Sequence, residues 1–260
     1  STSTDVPTII GVPSVGQNLY CSFVNGSAIT AISYKWFVDD VEIPNQQMIY
    51  YTVKASDSGK TITCKTIVGG ALSAASNGMV IGSTVTQTGV YSFSQTNNTT
   101  VASIDSKWAS TANYYVIKDG FASVTEASKS WGGAAIYAHG STIKTMEIAI
   151  LNGITSLFSM GLDSASTTPY DVRILPTSVQ IRKNTVWQAD IPLNFDTTAV
   201  PVIARIIVDG GKFAVDINNV RFFTLSETNV ATSSAYFTIT TTTITNNRLD
   251  YFQVKKKKKA

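Results

Sequence analysis

Few windows of this chain place apolar residues at i, i+3, i+4 and i+7, so almost none of it can bury one face as an amphipathic helix. Instead, β-branched and aromatic residues alternate with small polar ones, the pattern of strands that bury every second side chain. Period-2 runs stand out at Leu19-Tyr20-Cys21-Ser22-Phe23, at Ile143–Ile150, at Phe213-Ala214-Val215-Asp216-Ile217 and at residues 236–244. Turn signals such as Asp119-Gly120 and Asp209-Gly210-Gly211 separate them. Within residues 204–217 the Asp-Gly-Gly turn supplies positions that accept positive φ, and the flanking runs are expected to pair as an antiparallel hairpin. Many short strands imply an all-β chain built of sandwiches or barrels.

With 260 residues, 43% of them hydrophobic and 14% charged, the chain is long enough for two modest cores and too apolar for a disordered polymer. No stretch approaches the roughly 18 to 20 consecutive apolar residues that a membrane-spanning helix needs. The opening Ser1-Thr2-Ser3-Thr4-Asp5 lacks a basic region and an apolar region, so a signal peptide is expected to be either unused or already removed. The formal net charge of +3 is concentrated at one end: five of the 20 cations are Lys255, Lys256, Lys257, Lys258 and Lys259, and the rest carries 15 minus 17, or −2. Nucleic-acid modules spread their cations over a folded face among stacking aromatics, so no nucleic-acid partner is expected. The lysine run reads either as a solvated tail or as a candidate assembly contact with an acidic neighbour. A stretch rich in Gly, Ser, Ala and Thr at residues 71–89 divides the chain, giving a first module at 1–82, a second at 83–254 and a basic tail at 255–260.

The only two cysteines, Cys21 and Cys64, bracket Trp36 within Tyr34-Lys35-Trp36-Phe37, and the second follows Asp57-Ser58-Gly59-Lys60-Thr61-Ile62-Thr63. With Gly11-Val12-Pro13-Ser14-Val15-Gly16, Leu19, Ile43 and Tyr50, they make the first module resemble the Ig-like modules of bacterial surface proteins and tailed-phage virions. The resemblance implies a small β-sandwich in which the two cysteines come from facing strands and Trp36 packs against them. The sequence departs from the family at Ile62, which stands where the corner tyrosine usually lies. The implied disulfide closes a loop of 64 minus 21, or 43, positions, worth roughly 4 kcal/mol on the loop-entropy argument. The alternative is a pair of buried free thiols acting as small hydrophobes.

The second module is too large for one immunoglobulin domain and lacks a long helix, which points to a double-sheet jelly roll. Three of its segments resemble the concanavalin-like lectin or laminin-G sandwich: Trp187-Gln188-Ala189-Asp190-Ile191-Pro192-Leu193, residues 202–217, and Leu249-Asp250-Tyr251-Phe252-Gln253-Val254. A lectin-like sandwich implies an exposed aromatic face for a pyranose with amides and carboxylates nearby for its hydroxyls. Trp131, followed by two glycines, is the candidate glycan contact together with Tyr137 and Asn152, the alternative being that Trp131 covers the core rim. Trp108 and Trp187 read as core.

Machinery for bond making is sparse. His139 is the sole histidine, and no Gly-x-Ser-x-Gly elbow, phosphate loop, dinucleotide fingerprint or calcium loop occurs. Glycoside hydrolysis needs two carboxylates, and Met146-Glu147-Ile148-Ala149-Ile150 carries one where lectin-like hydrolases place several at alternate positions. The expectation is therefore a chain that is no enzyme and holds no metal or cofactor. The Ig-like pattern leads to a virion structural protein on a phage surface, whether capsid decoration, head fibre or tail component, with other virion proteins or further copies of itself as partners. The alternative is a glycan-binding cell-surface adhesin with an Ig-like spacer.

Overall fold

The structure is a computed structural model. It describes residues 5–24, 28–84, 87, 90–93, 95, 97–108, 115–118, 121–124, 135–139, 142–151, 157–163, 170–183, 186–209, 211–226, 234–240 and 249–256. The chain is all-β. Two short 3-10 turns, Ala55–Asp57 and Val101–Ser103, are the only helical elements among the described residues, and none is long and apolar enough to cross a membrane. Two compact units form, one from Ser1–Val90 with Ile217–Arg221 and one from Tyr91–Asp216 with Phe222–Ala260.

The smaller unit holds β1 (Thr8–Gly11), β2 (Asn18–Ser22), β3 (Ser33–Val38), β4 (Val41–Glu42), β5 (Tyr50–Thr52), β6 (Thr61–Val68), β7 (Ala71–Leu72) and β8 (Met79–Val80). They make one sheet in the order β1-β2-β5 and a second in the order β4-β3-β6-β7, with β8 also on β6. Cys21 of β2 and Cys64 of β6 come from different sheets, and their sulfurs face each other at 2.7 Å. Trp36, wholly buried on β3, donates its indole N–H to the Met48 carbonyl at 2.9 Å. Asp57 is held by β5, accepting the Tyr51 hydroxyl at 2.7 Å and the Lys54 backbone N–H at 2.8 Å.

Asn218 and Asn219 also belong to this unit, with φ of 50° and 64°, the left-handed pair that a two-residue hairpin turn requires. The Asn219 amide accepts the Phe23 backbone N–H at 3.1 Å and donates to the Cys21 carbonyl at 2.8 Å and the Tyr34 hydroxyl at 3.0 Å. These groups are buried, and a buried backbone group that loses its partner costs about 1–3 kcal/mol. Asn219→Gly keeps the turn conformation and removes the amide, so it is expected to lower unfolding stability by about that amount, read by urea denaturation.

The larger unit is a two-sheet sandwich. Its strands are β9 (Val90–Tyr91), β10 (Tyr115–Lys118), β11 (Phe121–Val124), β12 (Ala135–Ala138), β13 (Ile143–Ile150), β14 (Leu157–Asp163), β15 (Tyr170–Ile174) and β16 (Ser178–Lys183). They are followed by β17 (Val186–Pro192), β18 (Val202–Asp209), β19 (Lys212–Ile217), β20 (Val220–Ser226), β21 (Ser234–Thr240) and β22 (Leu249–Lys256). The eight-stranded sheet runs β10-β11-β22-β13-β18-β19-β20 with β9 added on β22, and the six-stranded sheet runs β12-β21-β14-β15-β16-β17. The expected strand at Ile143–Ile150 forms over those residues, and the Asp-Gly-Gly segment joins two adjacent strands, with Gly211 at φ 75°. Phe237 of the six-stranded sheet meets Phe252 of the eight-stranded sheet at 6.0 Å between ring centres. Trp108 packs on both, at 5.8 Å and 4.9 Å, as the core tryptophan expected. Around this cluster Met146, Ile148, Val172, Ile174, Val179 and Ile181 are fully buried. Lys255 and Lys256 lie within β22, opposite Thr145 and Ile143, while residues 257–260 lie outside the described ones.

Candidate functional site

Because side chains alternate along a strand, the residues that face away from this core carry the chemistry. On the eight-stranded sheet they form an ionic network. Glu147 of β13 and Arg205 of β18 are register partners. The Arg205 Nε donates to Glu147 Oε2 at 2.5 Å, and its Nη2 bonds the same oxygen. The Nη1 reaches Asp216 Oδ2 of β19 at 3.3 Å, and the Tyr251 hydroxyl of β22 donates to Glu147 Oε1 at 2.7 Å. The guanidinium is 1% exposed. Burial pushes its pKa down, but the charges of Glu147 and Asp216 outweigh that and hold it above the ordinary arginine value.

On the six-stranded sheet the outward residues of β15, β16 and β17 form a second cluster, and this one reaches solvent. Asp171 Oδ2 accepts Arg173 Nε at 2.9 Å, Arg182 Nε at 2.9 Å and Arg182 Nη2 at 2.5 Å. Both guanidiniums lie under the Trp187 ring, 5.5 Å and 5.4 Å from its centre, within cation–π range. The indole is nonetheless 52% exposed. Beside it a shallow depression of about 480 Å³ is lined by Gln180, Trp187, Gln188, Ala189 and Asp190, and Gln180 donates to Asp190 at 3.0 Å.

Trp187 corrects the expectation of a core residue, and the cause is a bulge. Ile181 pairs with Ala189, but Arg182 pairs with Trp187, so Gln188 is an extra residue on β17. Without it, Trp187 would share the inward parity of Ala189 and Ile191; with it, the ring turns to the face of Arg182. No feature of Val186-Trp187-Gln188-Ala189 announces a bulge in the sequence. The other expected glycan contacts fare differently. Trp131 and Asn152 lie outside the described residues, and Tyr137 is 3% exposed, packed on Trp108 at 5.0 Å and on Phe252 at 5.6 Å, with no face free for a sugar. His139 is half-buried and stacks on Tyr137 at 6.0 Å. Among the described residues no group of three His, Cys, Asp or Glu side chains is placed to hold a metal ion.

No family model matches the chain, and no curated protein sequence matches it. Solved structures of similar fold are β-sandwiches of the lectin and glucanase type. A Bacillus licheniformis β-glucanase is 13% identical, with 66% of this chain and 95% of that one covered at a TM-score of 0.43. The Crh5 transglycosylase in complex with NAG is 13% identical over 65% of this chain and 84% of that one, at 0.48. The Caenorhabditis elegans galectin LEC-6 is 10% identical over 48% and 91%, at 0.36. The expectation that the chain is no enzyme is overturned by this comparison, because glucanases and transglycosylases stand beside galectins among the solved structures of this fold. The flaw lay in counting carboxylates along one strand. Glu147 is alone on β13, yet Asp216 joins it on the same guanidinium from another strand.

Removing the cation from a buried ion cluster leaves uncompensated charge, which costs about 3–5 kcal/mol. Arg205→Met is therefore expected to destabilise the larger unit by about that much at neutral pH in thermal or urea unfolding.

Proposed function

We propose that the larger unit recognises carbohydrate and that Trp187 is its stacking platform. The observation that carries this reading is a tryptophan half exposed yet fixed from below by two guanidiniums that are themselves fixed by Asp171. Leaving half of so large an apolar ring in water forgoes roughly half of the ~1.5–3 kcal/mol that full burial of a large apolar side chain is worth. A pyranose presents an apolar face to such a ring, and Gln180, Gln188 and Asp190 surround it with donors and acceptors for hydroxyls. The same strand is an edge, but its bulge disfavours pairing with another chain. The galectins and glucanases of similar fold fit this reading without carrying it. A glycan array together with affinity electrophoresis in mixed-linkage β-1,3-1,4-glucan tests it. Binding is expected for the wild type and about tenfold weaker, ~1.4 kcal/mol, in Trp187→Ala. Undiminished binding by the variant, or silence of the wild type across the array, overturns it.

A second reading is glycan cleavage at a site separate from Trp187, on the outward face of the eight-stranded sheet, where Glu147 and Asp216 place two carboxylates on one guanidinium, the residue type that glycoside hydrolysis uses. Release of reducing ends from a glycan bound on the array, abolished in a folded Glu147→Gln, supports it; release that survives that substitution refutes it.

For the smaller unit we propose an Ig-like spacer, supported by Cys21 and Cys64 drawn from two sheets and by the buried Trp36 beside them. Under oxidising conditions the pair is expected to lose both free thiols in a denatured Ellman titration and to raise unfolding stability by roughly 4 kcal/mol. The setting proposed from the sequence pattern is the surface of a phage particle, with the lysines from Lys255 onward as the contact. Absence of the protein from purified particles would rule that setting out.

A further inference from the structure

In the smaller unit β1 is an edge strand, paired on one side only, with β2. Backbone groups alternate along an antiparallel strand, so Thr8 and Ile10 face β2 while Ile9 and Gly11 point away from it. An edge of this kind offers its outward N–H and C=O groups to any strand that approaches. Here side chains take them. The Ile9 N–H donates to Asn77 Oδ1 at 2.8 Å, and Gln87 Nε2 donates to the Ile9 carbonyl at 2.7 Å. The Gly11 N–H donates to Gln87 Oε1 at 3.3 Å. Further along, the Pro13 carbonyl accepts the Gly82 N–H at 2.8 Å.

Gln87 thus bonds the carbonyl of one residue and the N–H of the residue two further on, the pair that a single residue of an adjacent parallel strand would take. Its amide stands in for a strand, from a position 76 residues beyond Gly11. Gly11 itself has a φ of 137°, and a Cβ there would lie 2.5 Å from the Asn18 carbonyl oxygen, so only glycine fits where Gln87 Oε1 is met. Pro7 and Pro13 bracket the strand, and a proline cannot donate to a ladder, so the stretch open to pairing is confined to the residues between them. Ile9 and Gly11 are buried and Gln87 is half-buried, which limits the access of water to these bonds.

We propose that Gln87 is a latch that closes the β1 edge against strand addition by a second copy of this chain. Ile9 and Gly11 flank Ile10 symmetrically, so two unlatched edges pair antiparallel about Ile10, with Ile9 of each copy opposite Gly11 of the other. That is the closed two-fold contact that like edges form. Natural edges are commonly guarded by charge, but Val6-Pro7-Thr8-Ile9-Ile10-Gly11-Val12-Pro13 carries none. Nothing in the strand itself repels its own copy, and the guarding falls to the amides of Gln87 and Asn77.

Amide hydrogen exchange and analytical ultracentrifugation of the full chain test it, on wild type, Gln87→Ala and the double variant Asn77→Ala/Gln87→Ala. A reductant keeps Cys21 and Cys64 from cross-linking copies, and circular dichroism confirms that each variant is folded; if the double variant does not fold, the single one decides. In dilute solution the Gly11 amide is expected to exchange about fivefold faster or more in Gln87→Ala, the loss of one hydrogen bond. As concentration rises, the variants are expected to dimerise and to regain protection at Gly11, while the wild type does not associate through β1. Unchanged Gly11 exchange in dilute Gln87→Ala refutes the latch. Variants that stay monomeric, variant dimers in which Gly11 still exchanges fast, or a wild type that already pairs through β1 refute the guarding of this edge against a second copy.

Discussion

The packing of Phe252, Val254, Met146 and Ile148 against Phe237, Val172, Ile174 and Ile181 seals the two sheets of the larger unit and commits every strand in them to a parity. Because side chains alternate, giving Met146 and Ile148 to the core assigns Thr145, Glu147 and Ala149 to the opposite face. In the same way, giving Tyr170, Val172 and Ile174 to the core places Asp171 and Arg173 outside. Both ionic clusters are consequences of that assignment. On either sheet the residue available between two apolar neighbours is charged, and the register of adjacent strands brings its partner opposite, as Glu147 faces Arg205 and Asp171 faces Arg182.

The bulge at Gln188 is where β17 departs from this parity, and it does so on an edge strand, where one extra residue disturbs pairing on one side only. The change reverses the environment of the largest side chain in the segment. Trp187 leaves the inward face, and the guanidiniums of Arg173 and Arg182 become its support. A ring held in this manner loses little freedom when a ligand stacks on it, which matters for sugars, whose individual contacts are weak and whose binding is limited by the entropy of ordering.

Strand-scale features of the fold were legible in the sequence because they depend on neighbours a few residues away. The alternation at Ile143–Ile150 marked β13 to the residue. Features that depend on which strands become neighbours were not legible. Glu147 and Arg205 are 58 residues apart, and nothing local to either names the other. Tyr137, expected with Trp131 as a glycan contact, has its ring enclosed by Trp108 and Phe252 from distant segments. Trp187 failed for a third reason: period-2 reasoning assumes an unbroken register, and one inserted residue inverts every inference about the side chains beyond it.

The two arginine clusters use the same chemistry to different ends, and burial decides which. Arg205 is enclosed with Glu147, Asp216 and Tyr251, so its ion pairs are strong but are set against the loss of hydration of every member. Such a network adds little net stability relative to an apolar core; its effect is to penalise any register in which β13, β18, β19 and β22 fail to bring these four side chains together. Arg173 and Arg182 keep 11% and 23% of their side-chain surface in contact with solvent and share a single carboxylate oxygen, so part of their bonding capacity faces outward toward the Trp187 ring. The enclosed cluster therefore specifies the sheet, while the open one presents a rigid surface. The proposed binding face rests on the second arrangement, where the Trp187 plane is fixed by the protein on one side and half exposed.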